Sequence, residues 1–150
     1  MAYWLMKSEP SEVSIDHLAA RPGQTVDWFG VRNYLARNHL RAMRVGDQAF
    51  FYHSSCPEPG IAGVVEVVRE AYPDPTQFDP NDAHFDPKSP RDNPRWSTVD
   101  VKLVRKTTLV SLTLLRTRPE LEGLIVLQKG NRLSVTPVDA AHWNALQALL

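Results

Sequence analysis

From Tyr72 to Pro94 the chain reads "YPDPTQFDPNDAHFDPKSPRDNP", a stretch that carries six of its twelve prolines. Proline fixes φ and lacks an amide donor, so these residues form neither regular helix nor central strand. A loop of this length inside a compact domain is uncommon, and tends to be functional or held in place by its own anchors. Tyr72, Phe78 and Phe85 supply apolar anchors. An ordered wrap is predicted, and the core has to come from the segments on either side.

Those segments alternate in character. "AYWLMK" predicts a buried first strand, ended by Ser8, Glu9 and Pro10. "SEVSIDHLAA" places Val13, Ile15, Leu18 and Ala19 at helical spacing behind a Ser11 or Ser14 cap, and "QTVDW" is a short extended piece. "DWFGVRNYLARNHLRAM" predicts an amphipathic helix. "GDQAFFYHS" and "GIAGVVEVVREAY" predict an antiparallel hairpin closed by "SCPEPG", and "WSTVDVKLVRKTT" alternates like a half-buried strand. "SLTLLRTRPEL" predicts a short helix, "LIVLQ" and "LSVTPV" two strands around the turn "KGN", and "VDAAHWNALQALL" a terminal helix capped by Asp139. Several strands with three or four helices imply α+β architecture: one domain over residues 1–150, built on a curled mixed β-sheet or small barrel with peripheral helices.

Composition removes several functions. The single cysteine excludes an internal disulfide framework, and the five scattered histidines show no metal-binding pair on a helix face, so no metal and no cofactor are expected. There is no apolar run of membrane-spanning length and no signal-peptide pattern, which predicts no membrane association and a cytoplasmic protein, nuclear if eukaryotic. A monomer is expected. Seventeen basic and seventeen acidic residues cancel, which argues against holding nucleic acid by bulk charge. The charge is nonetheless uneven: Phe29 to His53 carries Arg32, Arg37, Arg41 and Arg44 against Asp47, whereas the proline-rich stretch is acidic. One face could meet phosphate while the molecule stays neutral.

No catalytic set emerges. In "HSSC" adjacent strand residues His53 and Ser54 point to opposite faces, and glycine-rich phosphate loops are absent. The polar interruptions of the second helix are more informative. Wound at about 100° per residue, Val31, Tyr34, Leu35 and Ala42 share one stripe, with Asn38 in its middle. Asn33 falls on the first turn beside Trp28, a pairing that offers an amide to the edge of a flat heterocycle and a ring for stacking. "KSEP" at Lys7 to Pro10, "RW" at Arg95 and Trp96, and "KGNRLS" with Lys129, Arg132 and Ser134 add polar and aromatic groups of the same kind. Together they suggest a stacking pocket with a basic rim, the means by which single unstacked bases are read.

In order along the chain, "YWLMKSEP", "WFGVRNYLARNHL", "GDQAFFYHSS", "PGIAGVVEV", "YPDPTQFDP", "FDPKS", "PRWSTVDV" and "GNRLSVTPV" closely resemble the motifs of the EVE domain, the thymocyte nuclear protein-like family. The resemblance runs from Tyr3 to about Trp143. It implies a PUA-like fold and a non-enzymatic reader of a modified base, a modified cytosine or adenine, in DNA or RNA. Carried onto matching positions, it implies a pocket of Ser8, Glu9, Trp28, Asn33, Tyr52, His53, Ser54 and Trp96, with Lys7, Arg32, Arg37, Lys129 and Arg132 at a phosphate rim. Because ASCH-type relatives include hydrolases, a small nucleoside-processing enzyme using Lys7 and Glu9 is the alternative, followed by a metabolite-binding module.

Overall fold

The computed structural model describes all residues, 1–150. Six strands, β1 (Tyr3–Ser8), β2 (Thr25–Asp27), β3 (Gln48–His53), β4 (Gly60–Pro73), β5 (Ser97–Ser111) and β6 (Val135–Val138), join in one sheet. Its order is β2-β5-β4-β3-β1-β6, with β2 and β6 as free edges, so the curled sheet stays open and does not close into a barrel. Every neighbouring pair is antiparallel except β1 with β3, which run parallel from Tyr3↔Gln48 to Ser8↔His53. The helices are α1 (Ile15–Ala20), α2 (Tyr34–Ala42), α3 (Leu112–Leu115) and α4 (Ala140–Gln147).

Both faces of the sheet are covered, which explains the nearly continuous apolar runs of the inner strands. Trp4 and Met6 of β1 and Ala49 and Phe51 of β3 enter a core with Leu18, Trp28, Ala36 and Leu40. The alternate residues Leu5, Phe50 and Tyr52 enter a second core with Leu115, Leu121, Trp143 and Leu146. Period-two alternation thus divides each strand between two cores.

The proline-rich stretch is held by one buried amide. Gln77 Nε2 donates to the carbonyls of Asp74 (2.7 Å) and Trp96 (2.9 Å). Its Oε1 accepts from Ser89 Oγ (2.6 Å) and the Trp96 amide (3.1 Å). All four bonding positions of the side chain are satisfied in a fully buried site. This amide, together with a 3-10 turn at Pro75–Phe78, makes the loop an ordered wrap.

Two sequence expectations need correction. Residues of "LIVLQ" form a 3-10 turn at Ile125–Leu127, and no hairpin forms around "KGN"; β6 instead pairs with β1. The short apolar run fits either state by pattern alone, and packing against the second core decides it. The second helix also begins later than its pattern suggests, at Tyr34, with Ala36 and Leu40 as its buried residues. Tyr34 and Leu35 are exposed, and Asn38 faces solvent, where its Oδ1 accepts from Arg37. Val31 is buried but lies outside the helix, so it does not set the helix phase.

Candidate base-binding cavity

Backbone contacts bring three separate segments together where β1 leaves the sheet. The Lys7 amide donates to the Ser134 carbonyl (2.7 Å), and the Ser54 amide to the Ser8 carbonyl (3.0 Å). Ser8 Oγ closes the following turn by donating to the Val13 carbonyl (2.6 Å). Opposite them runs the connector from β2 to α2. The Trp28 amide donates to the Val99 carbonyl (2.8 Å), and the indole meets Phe51 edge-on in the core.

The connector is fastened to the long loop by Asp74, whose side chain is fully buried. Asp74 Oδ2 accepts from the Gly30 amide (2.8 Å) and Arg32 Nη1 (3.0 Å). Its Oδ1 accepts from the amide (2.8 Å) and hydroxyl (2.6 Å) of Thr76. Arg32 also donates to the His84 carbonyl from Nε (3.0 Å) and Nη2 (2.8 Å). Gly30 has φ +83°, and a Cβ there would lie 2.8 Å from the His84 ring. Glycine therefore allows the loop to close over the connector. His84 stands edge-on to Phe29, with Nδ1 2.9 Å from Asp82 and Nε2 3.5 Å from Glu12.

These segments enclose a cavity of about 600 Å³, within the size range of small-ligand sites. Lys7, Ser8, Glu9, Trp28, Arg32, Ser54 and Arg132 line it. Asn33, Tyr52, His53, Trp96, Arg37 and Lys129 do not, and each has a physical reason to lie elsewhere. Asn33 is the N-cap of α2, its Oδ1 accepting from the Ala36 amide at 3.0 Å. Tyr52 belongs to the opposite core, where burial pushes its phenol pKa up to about 12. His53 Nε2 accepts from the Ile15 amide at 3.1 Å, and burial lowers its pKa, in keeping with a neutral ring. Trp96 is buried, stacked on Tyr34, with Nε1 donating to Asp86 at 2.7 Å. Arg37 is committed to Asn38 and the Arg95 carbonyl, and Lys129 lies exposed on its turn. Arg32 lines the cavity, but its guanidinium is bound up with Asp74 and His84 rather than free for phosphate.

Polar and aromatic cavity residues that sequence reasoning did not single out are Glu12, Asp27, Phe29, Ser55, His84 and Asn131. Only Asp27 left a signal, as a charge in the short extended piece "QTVDW" immediately before an indole. Burial raises its carboxyl pKa, and the charges of Asp100 and Asp74 add to the effect. Burial lowers the Lys7 ammonium in the same cavity. Asn131 Oδ1 accepts from the Leu133 amide at 3.2 Å, while its buried Nδ2 has no protein partner. No three His, Cys, Asp or Glu side chains gather as a metal site, and no helix is long and apolar enough to cross a membrane.

Asn33→Ala is expected to cost about 1 kcal/mol, the usual loss for such a cap. It should leave ligand binding in the cavity unchanged. A urea unfolding midpoint and a binding isotherm on the same preparation check both halves.

The EVE domain family matches residues 2–149. Human thymocyte nuclear protein 1 is 58% identical over 113 residues, covering 69% of this chain and 50% of that protein. The rat protein of the same name is 46% identical over 165 aligned residues, covering 98% of this chain and 73% of that protein. The chain thus spans about half the length of the human relative, and more of the rat one. Among solved structures, a Pseudomonas putida protein superposes with a TM-score of 0.94 at 53% identity, covering 99% of each chain. Human thymocyte nuclear protein 1 in complex with DNA containing 5-methylcytosine superposes with a TM-score of 0.92 at 46% identity, covering 99% of this chain and 97% of the other.

Proposed function

The chain belongs to the EVE domain family, and from that membership we propose that it binds DNA and reads a modified cytosine, drawn out of the duplex into the cavity beside Trp28. The carrying observation is that cavity itself. It measures about 600 Å³ and combines an indole, flanking polar groups and a donor on Asn131 without a protein partner. A base inside a duplex exposes neither its full Watson–Crick edge nor its faces, so reading through such a pocket requires extrusion. The relative bound to 5-methylcytosine DNA supports this choice of ligand over modified adenine or RNA.

Within the proposal Trp28 is the stacking wall, and Lys7, Ser8, Glu9 and Ser54 border the base. Arg132 is the phosphate contact, since it is exposed at the cavity and makes no side-chain hydrogen bond or ion pair. The module acts by binding, without turnover. Release of a free base or altered nucleoside on prolonged incubation would favour the hydrolase alternative, with Lys7 and Glu9 as the groups to substitute first.

The test is an affinity series on duplexes that differ in one cytosine, unmodified or methylated at C5. Tighter binding of the methylated duplex is expected, and equal affinity at low and moderate salt would remove the reading. Arg132→Ala should weaken both duplexes alike and reduce the slope of log affinity against log salt by about 1, leaving the preference intact.

A further inference from the structure

Asp27 ends the edge strand β2 and lies on the cavity wall one residue before Trp28. Its carboxyl group receives no hydrogen bond from the side chain or backbone of any other residue, unlike Asp47, Asp74, Asp82, Asp86 and Asp100. Its position discourages charge. Asp100 sits directly across the strand pair in the β2–β5 register, and Tyr72 at the end of β4 gives its hydroxyl to Asp100 at 2.6 Å. The fully buried Asp74 contributes a further negative charge from the long loop, against Arg21 beyond α1 as the cation that acts on it. The cavity's other charged or titratable groups are Lys7 and Glu9 from the end of β1, Glu12, Arg32, His84 and Arg132. A half-buried carboxyl whose one hydrogen-bond donor is its own amide, with two further aspartates near it, is costly when ionised and favourable when it carries a proton.

We infer that Asp27 reads the cytosine edge as a neutral carboxyl group, its hydroxyl donating to ring N3 and its carbonyl oxygen accepting from the exocyclic N4–H. This rests on the proposed reading of the cavity and assigns that site's base-edge specificity. Cytosine presents a donor beside an acceptor, and a protonated carboxyl presents the complementary acceptor beside a donor. An ionised carboxylate matches only the N4–H half and sets its second oxygen against the N3 lone pair. Burial, aided by the two neighbouring aspartates, raises the Asp27 pKa against the opposing pull of its own amide and of Arg21, which favours the protonated form.

A proton count follows. The complex holds one proton between Asp27 and N3. Above the pKa of free Asp27 that proton is taken up on binding, and affinity falls about tenfold per pH unit; below it, affinity is level. Asparagine offers the same acceptor and donor without titrating. Asp27→Asn should therefore keep the low-pH affinity within about threefold and lose the pH dependence, whereas Asp27→Ala should lose affinity for both duplexes, at least about tenfold at the low end of the pH range, because methylation leaves N3 and N4–H unchanged.

The experiment measures binding of a duplex with one 5-methylcytosine, and of its unmodified counterpart, from pH 5 to 8 for wild type and both variants. Calorimetry of the wild type in two buffers of different ionisation enthalpy reports proton uptake without any variant. Uptake approaching one proton per duplex in the upper part of the range, and a level profile for Asp27→Asn, are the expected results. Wild-type affinity that is level across the range without proton uptake, and that Asp27→Ala retains, overturns this inference alone. A slope that persists in Asp27→Asn also overturns it, because the titrating group is then another one, His84 being the cavity's histidine. Absence of any methyl preference at every pH overturns the base-reading proposal as well.

Discussion

Asp74→Ala is expected to destabilise the fold by about 3–5 kcal/mol, the range for removing one partner of a buried ion pair. It should also reduce the preference for methylated DNA. The carboxylate is fully buried and accepts four hydrogen bonds, from Gly30, Arg32 and twice from Thr76. Alanine leaves the Gly30 amide without an acceptor and the Arg32 guanidinium, only about a quarter exposed, without its counter-charge. Arg32 keeps the His84 carbonyl, so the loop is loosened rather than released. Because Gly30 and Arg32 follow Trp28 in the same connector, loss of their anchor lets the cavity wall move. Urea unfolding should show a lower midpoint with an unchanged slope, the signature of reduced stability without a change in the exposed surface. Stability within about 0.5 kcal/mol of wild type would show that Asp74 is not the anchor of the connector.

Trp28→Ala carries the other large effect, because this indole serves the core and the cavity together. It is 7% exposed, packs edge-on against Phe51 and also lines the cavity. Truncating a buried aromatic to alanine costs about 3–5 kcal/mol of stability. Loss of a stacking surface for a base costs about 1–3 kcal/mol of affinity. Trp28→Phe separates the two, since it retains a ring in the core while reducing the area offered to the base. For the phenylalanine variant a small stability loss with a measurable fall in affinity for methylated duplex is expected. Full affinity in a folded Trp28→Ala protein would remove Trp28 from the base-binding role.

Much of the fold was legible because it is local or periodic. β1, β3 and β4 are apolar runs with clear ends, and Ser14 and Asp139 cap their helices by bonds to residues three positions away. The proline-rich loop was legible as an ordered wrap, but its fastening was not. Gln77 meets partners up to nineteen positions away, and a glutamine in a proline-rich loop gives no sign of being fully buried. Asn33 shows the converse limit. As an asparagine before a helical run it suits both a cap and a base contact, and the start of α2 at Tyr34 gives it to the cap.

The sequence by itself determined the family, the α+β class and the grouping of polar residues at the end of β1 with an indole before the second helix. These are properties of composition, period and motif order. Tertiary structure alone decided which of those residues share a cavity. Lys7, Trp28 and Arg132 meet there because β1 and β2 lie on opposite sides of the sheet's central strands in a curled sheet, with the loop after β4 closing the connector through Asp74. It also decided that Asp27 faces Asp100, because that opposition follows from the β2–β5 register across more than seventy residues of chain. Hydrogen-bond register and sheet curvature are set by the sum of all the packing, and no short stretch of sequence contains that sum.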